Sequence, residues 1–214
     1  MKKETNIDVT LDLSYELPLW TGSKGMQLEF LQKISDTQFA NVSQLNIELH
    51  TGTHVDAPSH FIKDGKNVEA LDLDILIGEA WVAYLPNIKK ITAQDLENAG
   101  IPKGTTRLLL KTTNSELWKK EPYPKFQTDF VALTKEAAKW VVSRNIRLVG
   151  IDYLSIQLYD DGPETHQILL SQEIVIIETL NLNQVEQGKY ELICLPLKIK
   201  GAEASPARVI LKPI

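Results

Sequence analysis

The sequence predicts an α/β domain built on a mixed sheet. Segments with the period-two alternation of strands are interspersed with capped helices, without the strict β-α-β order of an all-parallel sheet. The chain has 214 residues, a length that fits one domain or at most two. No internal repeat, low-complexity tract or linker-like stretch divides it, so we predict one domain over residues 1–214.

The strands predicted in the first half rest on alternating apolar residues. Over residues 7–13 the odd positions are apolar and the even positions polar, which is typical of a half-buried strand. Residues 14–35 contain proline and glycine and are predicted to form an irregular loop. A second alternating strand is predicted over residues 45–50, and a long buried strand, interrupted at Gly78, over residues 75–85.

In the second half of the chain, helix caps and apolar runs predict the helices and strands. Thr92 is predicted to cap a short helix that continues through Asn98, and Thr134 to cap a clearer one. Pro163 is placed to open a third helix, which carries His166. The remaining predicted strands span residues 107–111, 147–152, 173–178, 190–199 and 207–212.

Composition and charge argue against several classes of protein. With 23 Lys and Arg against 28 Asp and Glu, the net charge is −5, and no basic run is present, so we expect no nucleic-acid partner. The single cysteine, Cys194, excludes a disulfide scaffold and a Cys-rich zinc site; its apolar setting predicts a buried, inert thiol. Residues 1–6 are polar, and no apolar stretch approaches the roughly 20 residues of a spanning helix. We therefore expect a cytoplasmic protein without a membrane partner.

The residues that carry chemistry concentrate in one segment, which reads His50-Thr51-Gly52-Thr53-His54-Val55-Asp56-Ala57-Pro58-Ser59-His60-Phe61. Imidazole and carboxylate are ligands that zinc and manganese accept. The three histidines and Asp56 all occupy even positions, but a straight strand would set His50 and His54 about 13 Å apart. Because Gly52 and Pro58 oppose a helix, we predict a bent loop in which Gly52 supplies the bend.

A structural zinc site is the alternative to a catalytic one. Structural zinc sites favour cysteine and a closed shell of four ligands. The absence of cysteine from this segment favours an open, catalytic site. The signatures of serine hydrolases, phosphate-binding loops and dinucleotide-binding enzymes are absent from the sequence.

The segment resembles the signature His-x-Gly-Thr-His-x-Asp-x-Pro-x-His of the metal-dependent cyclase family, which includes bacterial kynurenine formamidase (arylformamidase) and isatin hydrolase. The resemblance extends over most of the chain, from Trp20 through the segment between His166 and Glu178 to residues 195–208. It implies a swivelling β/β/α fold. It also implies a homodimer or a higher homo-oligomer.

The resemblance implies two divalent metal ions, zinc or alternatively manganese, with Asp56 bridging them. The residues that match the family's metal ligands are His50, His54, Asp56, His166 and Glu178. Some relatives carry Gln where this chain has Glu178 and can hold one metal, so the carboxylate here favours two. Glu173, before the same predicted strand, is a competitor for the ligand role but matches the family less well.

The resemblance also implies an activity on a small-molecule substrate. His60 matches the family's proton donor and acceptor, Trp20 matches a wall of the substrate pocket, and Phe61 is placed to flank a flat substrate. The implied reaction is hydrolysis of a C–N amide bond, of the arylformamidase type that converts N-formylkynurenine to kynurenine and formate, with a metal-activated water as nucleophile. A ring-opening hydrolase of a cyclic amide such as isatin is the second interpretation. A non-catalytic metal-binding module, which requires a closed site, is the third.

Overall fold

The computed structural model of the chain describes residues 6–214, so the polar stretch noted at residues 1–6 lies, apart from Asn6, outside the described residues. Over that range the strands are β1 (Ile7–Asp8), β2 (Met26–Gln32), β3 (Val42–Ile47), β4 (His54–Asp56), β5 (Ile77–Tyr84), β6 (Arg107–Lys111), β7 (Leu148–Ile151), β8 (Val175–Glu178), β9 (Gly188–Pro196) and β10 (Ala204–Pro213). The α-helices are α1 (Leu73–Leu76), α2 (Ala93–Asn98), α3 (Lys135–Ser143) and α4 (Glu164–Leu170). None of the helices in this range is long and apolar enough to cross a membrane.

Eight of these strands form one sheet that closes on itself. Their order is β1-β10-β4-β8-β7-β6-β5-β9, and β9 also pairs with β10. β10 can do both because residues 204–206 pair with β4 while residues 207–213 pair with β9. The strands from β5 to β8 run parallel, and the other pairings are antiparallel. The predicted α/β class with a mixed sheet is therefore confirmed, and the closure makes the sheet barrel-like.

The closed sheet separates two apolar cores. In β6, Leu109 packs inside the barrel with Val55, whereas Leu108 and Leu110 pack outside against α2, α3 and α4. Successive side chains of a strand point to opposite faces, so a strand covered on both faces needs an unbroken apolar run. Cys194 belongs to the inner core, and its complete burial, which raises the pKa of the thiol, confirms the predicted inert cysteine.

The predicted helix starts are confirmed. The Thr92 side chain accepts from the Asp95 backbone N–H at 3.2 Å, and Asp95 in turn accepts from the Thr92 N–H at 2.8 Å, which completes a capping box. Thr134 accepts from the Ala137 N–H at 3.2 Å and opens α3. Each such cap stabilises its helix by about 1 kcal/mol. Pro163 directly precedes α4.

One loop prediction and two strand predictions for residues 7–50 are wrong in extent. Residues 26–32, inside the predicted loop, form β2; Met26, Leu28 and Phe30 alternate there with Gln27 and Glu29, a short pattern that the loop prediction overlooked beside the preceding glycines. The strand predicted over residues 45–50 instead spans 42–47, and the chain turns before His50. The predicted strand over residues 7–13 forms regular pairing only at Ile7 and Asp8.

The strand predicted over residues 75–85 begins later than expected. Asp72 accepts from the Asp74 N–H at 2.9 Å and starts the four-residue helix α1, so β5 begins at Ile77. Gly78 is not a break, because it lies within β5 at φ +139°, a conformation that side-chain-bearing residues rarely adopt. A Cβ there would also lie 3.0 Å from the Arg107 guanidinium.

Strands β2 and β3 pair only with each other and, with their connection, form a hairpin arm over residues 26–47. The arm exposes large apolar side chains, namely Leu28, Phe30, Leu31, Ile34, Phe39, Val42 and Leu45. Among the described residues, no other element shows such a concentration of exposed aliphatic and aromatic groups.

Candidate metal centre and substrate cavity

Strands β4 and β8 place three of the predicted ligands on one face of the barrel. The strands are antiparallel, and His54 lies directly opposite Glu178. Because Val55 and Ile177 point into the inner core, their neighbours His54, Asp56 and Glu178 point outwards to the side that carries the helices. The alternation of side chains along the two paired strands thus brings these three buried side chains together, although Asp56 and Glu178 are 122 positions apart in the sequence.

The turn before β4 and the turn after it bring two further histidines to the same face. Gly52, at φ +66°, redirects the chain between His50 and His54, as predicted. The ring centroids of these two histidines are 5.0 Å apart. After β4, Pro58 opens a short 3-10 turn that ends at His60, whose ring lies 4.2 Å from that of His50.

Helix α4 supplies the last predicted ligand. His166 lies in the first turn of α4, three residues after Pro163. Its Nε2 lies 3.2 Å from Glu178 Oε1 and 3.8 Å from Asp56 Oδ2. The competing carboxylate, Glu173, is elsewhere: it is exposed and forms an ion pair with Lys66 at 2.6 Å.

The arrangement fits a divalent cation. Two groups of side chains present ligand atoms within 4.8 Å of one another, the first being His50, Asp56 and His60 and the second His54, Asp56 and Glu178. His54 Nε2 and both carboxylate oxygens of Asp56 are buried without a hydrogen-bond partner. A buried polar atom without a partner is costly, and a metal ion would satisfy all three atoms at once. The donor set of imidazole nitrogen and carboxylate oxygen suits zinc or manganese.

Further contacts orient these donors. His54 Nδ1 donates to the Gly52 carbonyl at 2.8 Å, and His166 Nδ1 donates to Gln157 Oε1 at 3.1 Å, so each ring presents its Nε2 to the centre. Glu178 accepts from the Ile156 backbone N–H at 2.7 Å. On the open side, His50 Nε2 lies 3.4 Å from Glu203 Oε1.

The sequence interpretation missed Gln157 and Glu203. Gln157 lies in a loop after β7 and carries no local signal. Glu203 directly precedes β10, in which Ala204 pairs with Asp56 of β4. A prediction that this carboxyl-terminal strand pairs with β4 would have placed Glu203 beside the metal ligands.

The electrostatics keep the carboxylates ionised. Burial favours the neutral acid of Asp56, but the adjacent imidazoles of His50 and His54 hold its pKa well below the usual range. Burial also lowers the pKa of His54, yet Asp56 and Glu178 outweigh it and raise that pKa to about 10. His60 behaves differently, because burial dominates and lowers its pKa, which keeps the imidazole neutral near pH 7. Two ionised carboxylates, Asp56 and Glu178, therefore lie within the same cluster as His60.

A cavity of about 440 Å³ opens onto these residues, a volume typical of small-molecule sites. His50, His60, His166 and Glu178 line one end of it, and Trp20 and Phe61 line its walls. Phe61 stacks on His166 at 4.5 Å between ring centroids. Trp20 is 38% exposed and packs against a group of aromatic rings, with centroid distances of 5.0 Å to Phe126, 5.4 Å to Tyr159 and 6.3 Å to Phe130. The structure therefore brings all eight predicted site residues to one place.

Comparison with known proteins identifies the family. The model of the family described as "Putative cyclase" matches residues 7–157, well over half of the chain. The chain belongs to the cyclase family. Among family relatives, Cyclase-like protein 3 of Arabidopsis thaliana is 40% identical over 215 residues, which cover 95% of this chain and 78% of the plant protein. The kynurenine formamidase of Bacillus mycoides (strain KBAB4) is 34% identical over the full length of both chains.

Solved structures agree with this cyclase-family assignment. A protein described as a predicted metal-dependent hydrolase from Bacillus stearothermophilus superposes with a TM-score of 0.83 at 31% identity, covering 97% of this chain and 98% of its own. Isatin hydrolase A from Labrenzia aggregata, bound to benzyl benzoate, superposes with a TM-score of 0.80 at 23% identity, covering 97% and 93%. The second likeness concerns the fold alone.

Proposed function

We propose that this cyclase-family protein is a metal-dependent hydrolase that cleaves the C–N amide bond of a small aromatic substrate, of the arylformamidase type. The observation that carries the proposal is the meeting, in one cavity, of a His and carboxylate donor set, a further histidine, His60, and an aromatic wall. The full-length similarity to a protein named kynurenine formamidase supports N-formylkynurenine as the substrate. The greater similarity to plant proteins named only as cyclase-like supports the family and leaves the substrate to experiment.

The proposed roles follow from the geometry. His50, His54, Asp56, His166 and Glu178 would hold one or two divalent ions, with Asp56 between the two ligand groups. Bound divalent ions polarise a carbonyl and lower the pKa of water. His60, neutral and at the cavity wall, would accept a proton from the attacking water and deliver it to the departing amine nitrogen. Trp20 and Phe61 would hold the aromatic ring of the substrate between them.

A direct assay tests the proposal. The purified protein, loaded with zinc or with manganese, is given N-formylkynurenine and, separately, isatin. We expect the wild-type protein to release formate from N-formylkynurenine. We expect the His60→Ala variant to keep its metal content while its kcat falls at least about a hundredfold. Unchanged turnover in that variant would remove His60 from the mechanism, and hydrolysis of isatin alone would replace the arylformamidase assignment.

Two other functions lead to different results in the same assay. The ring-opening of a cyclic amide is supported by the aromatic residues that line the cavity and by the fold shared with isatin hydrolase. A non-catalytic metal-binding module would require a closed site, whereas His50, His166 and Glu178 line an open cavity. The accessible donor atoms therefore favour an enzyme.

We also propose that the hairpin arm docks on a second copy of this chain. Its seven exposed apolar side chains offer on the order of 700 Å² of surface, close to the roughly 800 Å² that each partner buries in a standard interface. Soluble monomers rarely expose so many large apolar side chains on one element. A homodimer through the arm would cover it.

A further inference from the structure

The cavity has a second polar feature, away from the metal ligands. Glu48 directly follows β3 and lines the same cavity as Trp20 and His60, together with Gly22 and Ser23 of the preceding loop. This loop belongs to residues 14–35, for which the sequence predicts irregular structure. Its residues now explain how the Glu48 carboxylate is held.

The Glu48 carboxylate is fixed and ionised. The Ser23 hydroxyl donates to Oε2, and the Lys24 backbone N–H donates to Oε1 at 3.0 Å. The Glu48 backbone N–H in turn donates to the Gly25 carbonyl at 3.0 Å, which ties the loop to the strand end. These donors hold the pKa of Glu48 below its usual value. A carboxylate has about four acceptor positions, so two donors leave it able to accept further hydrogen bonds from a ligand.

Glu48 is exposed at the cavity mouth and has no ion-pair partner in the described part of the cavity lining, although the charge of the neighbouring Lys24 helps to lower its pKa. Among the described residues, no Lys, Arg or His nitrogen lies within ion-pairing distance of Glu48. The cavity lining in the described part of the chain contains neither Lys nor Arg. A substrate arm that enters beside Glu48 therefore meets an oriented anion, and neither Lys nor Arg in that lining offers a fixed positive charge to a carboxylate.

We propose that Glu48 determines specificity by selecting substrates whose aromatic ring carries an arm with a primary ammonium group. The inference rests on the proposed hydrolase function, since it places the scissile amide at the metal end of the cavity and the ring between Trp20 and Phe61. An ammonium group would donate to the free acceptor positions of Glu48 with charge assistance. N-formylated aromatic amines with an aminoalkyl arm are the substrate class that this arrangement favours, and neutral cyclic amides such as isatin are left without that contact.

The decisive test measures binding and needs no catalysis. Kynuramine and ortho-aminopropiophenone share ring, amine and ketone and differ by the ammonium of the arm. Their dissociation constants for the metal-loaded protein are measured by calorimetry, for wild type and for Glu48→Gln. We expect the substitution to weaken kynuramine about threefold to tenfold, the range of an exposed ion pair with a fixed partner, and to leave the neutral ketone unchanged. The kynuramine preference should also shrink with added salt in wild type and not in the variant.

A matched control separates this role from general electrostatics. Glu29→Gln removes the same charge from the exposed strand β2, outside the cavity lining, and should alter neither ligand's affinity. Equal kynuramine affinity in wild type and Glu48→Gln, or equal weakening of both ligands, would overturn the inference.

Turnover of the N-formyl derivatives of the two ligands then tests the proposed hydrolase function separately. If neither derivative is hydrolysed by wild type, the hydrolase assignment fails while the binding result still decides the role of Glu48. If both are hydrolysed, Glu48→Gln should raise KM for N-formylkynuramine with little change in kcat. A fall in kcat for both derivatives would contradict a role confined to the arm.

Discussion

The contact between Gln157 and His166 gives a sharp test of how the metal centre is organised. Gln157 Oε1 accepts from His166 Nδ1 at 3.1 Å, which leaves the lone pair on Nε2, 3.2 Å from Glu178 Oε1. Substituting Gln157→Leu removes the acceptor and frees both the tautomer and the orientation of the ring. Contacts of this kind change metal affinity by about 10- to 100-fold, or roughly 1.4 to 2.7 kcal/mol.

The structure places the expected loss at the lower end of that range. Phe61 stacks on the His166 ring at 4.5 Å with an angle of 14° between the planes, so the ring keeps part of its orientation without Gln157. We expect the affinity of the ion held by His166 to fall about tenfold, while the ion held by His50 is retained. Zinc titration of the metal-free protein against a chromophoric chelator measures both affinities.

The control substitution is Gln167→Leu, which makes the same change on the exposed side of α4, next to His166 in sequence. It should leave both zinc affinities at the wild-type value. Wild-type affinity at both sites in Gln157→Leu would refute the proposed orienting role. An equal loss in both variants would show that the helix, rather than the hydrogen bond, is responsible.

Three further predictions concern stability and assembly. Removal of divalent metal with a chelator should lower the Tm by about 10 °C in calorimetry, because saturation at about a thousand times Kd contributes about 4 kcal/mol; an unchanged Tm would contradict a metal bound only by the folded chain. Thr53→Ala should lower the free energy of unfolding in urea by about 1–3 kcal/mol. The buried Thr53 hydroxyl accepts from the Leu11 N–H at 2.9 Å and donates to the Thr179 carbonyl at 2.6 Å, and both bonds are lost. A loss below about 0.5 kcal/mol would show that these groups find other partners. Phe39→Asp, at a side chain that is 93% exposed, should convert a dimer to a monomer in light scattering without lowering the Tm of the monomer, and a wild-type protein that is already monomeric would overturn the docking proposal.

The sequence predicted the site better than the strands around it. The motif from His50 to His60 has fixed residue types at fixed spacing, so the site residues can be predicted from it. Gly52 within it correctly predicts the bend between His50 and His54, which a straight strand would not contain. Capping residues such as Thr92 and Thr134 are similarly local signals, and both helix starts are confirmed.

The features that were missed depend on contacts between distant parts of the chain. Strand β2 carries apolar Met26, Leu28 and Phe30 in alternation with Gln27 and Glu29, but residues 27–31 are exposed on both faces, and the pairing with β3 is what establishes the strand. Gln157 and Glu203 reach the metal ligands through loops after β7 and before β10, so no spacing in the sequence indicates them. Closure of the barrel likewise depends on β10 changing partners at Ala207.

The most direct test of the central claim is a crystal structure of the protein grown with zinc, with the ions located by anomalous scattering. We predict two ions in the cavity, bonded at about 2.0–2.2 Å to donors from His50, His54, Asp56, His166 and Glu178, with Asp56 shared between them. A structure in which zinc is absent from these side chains, or is bonded to other residues instead, would contradict the account.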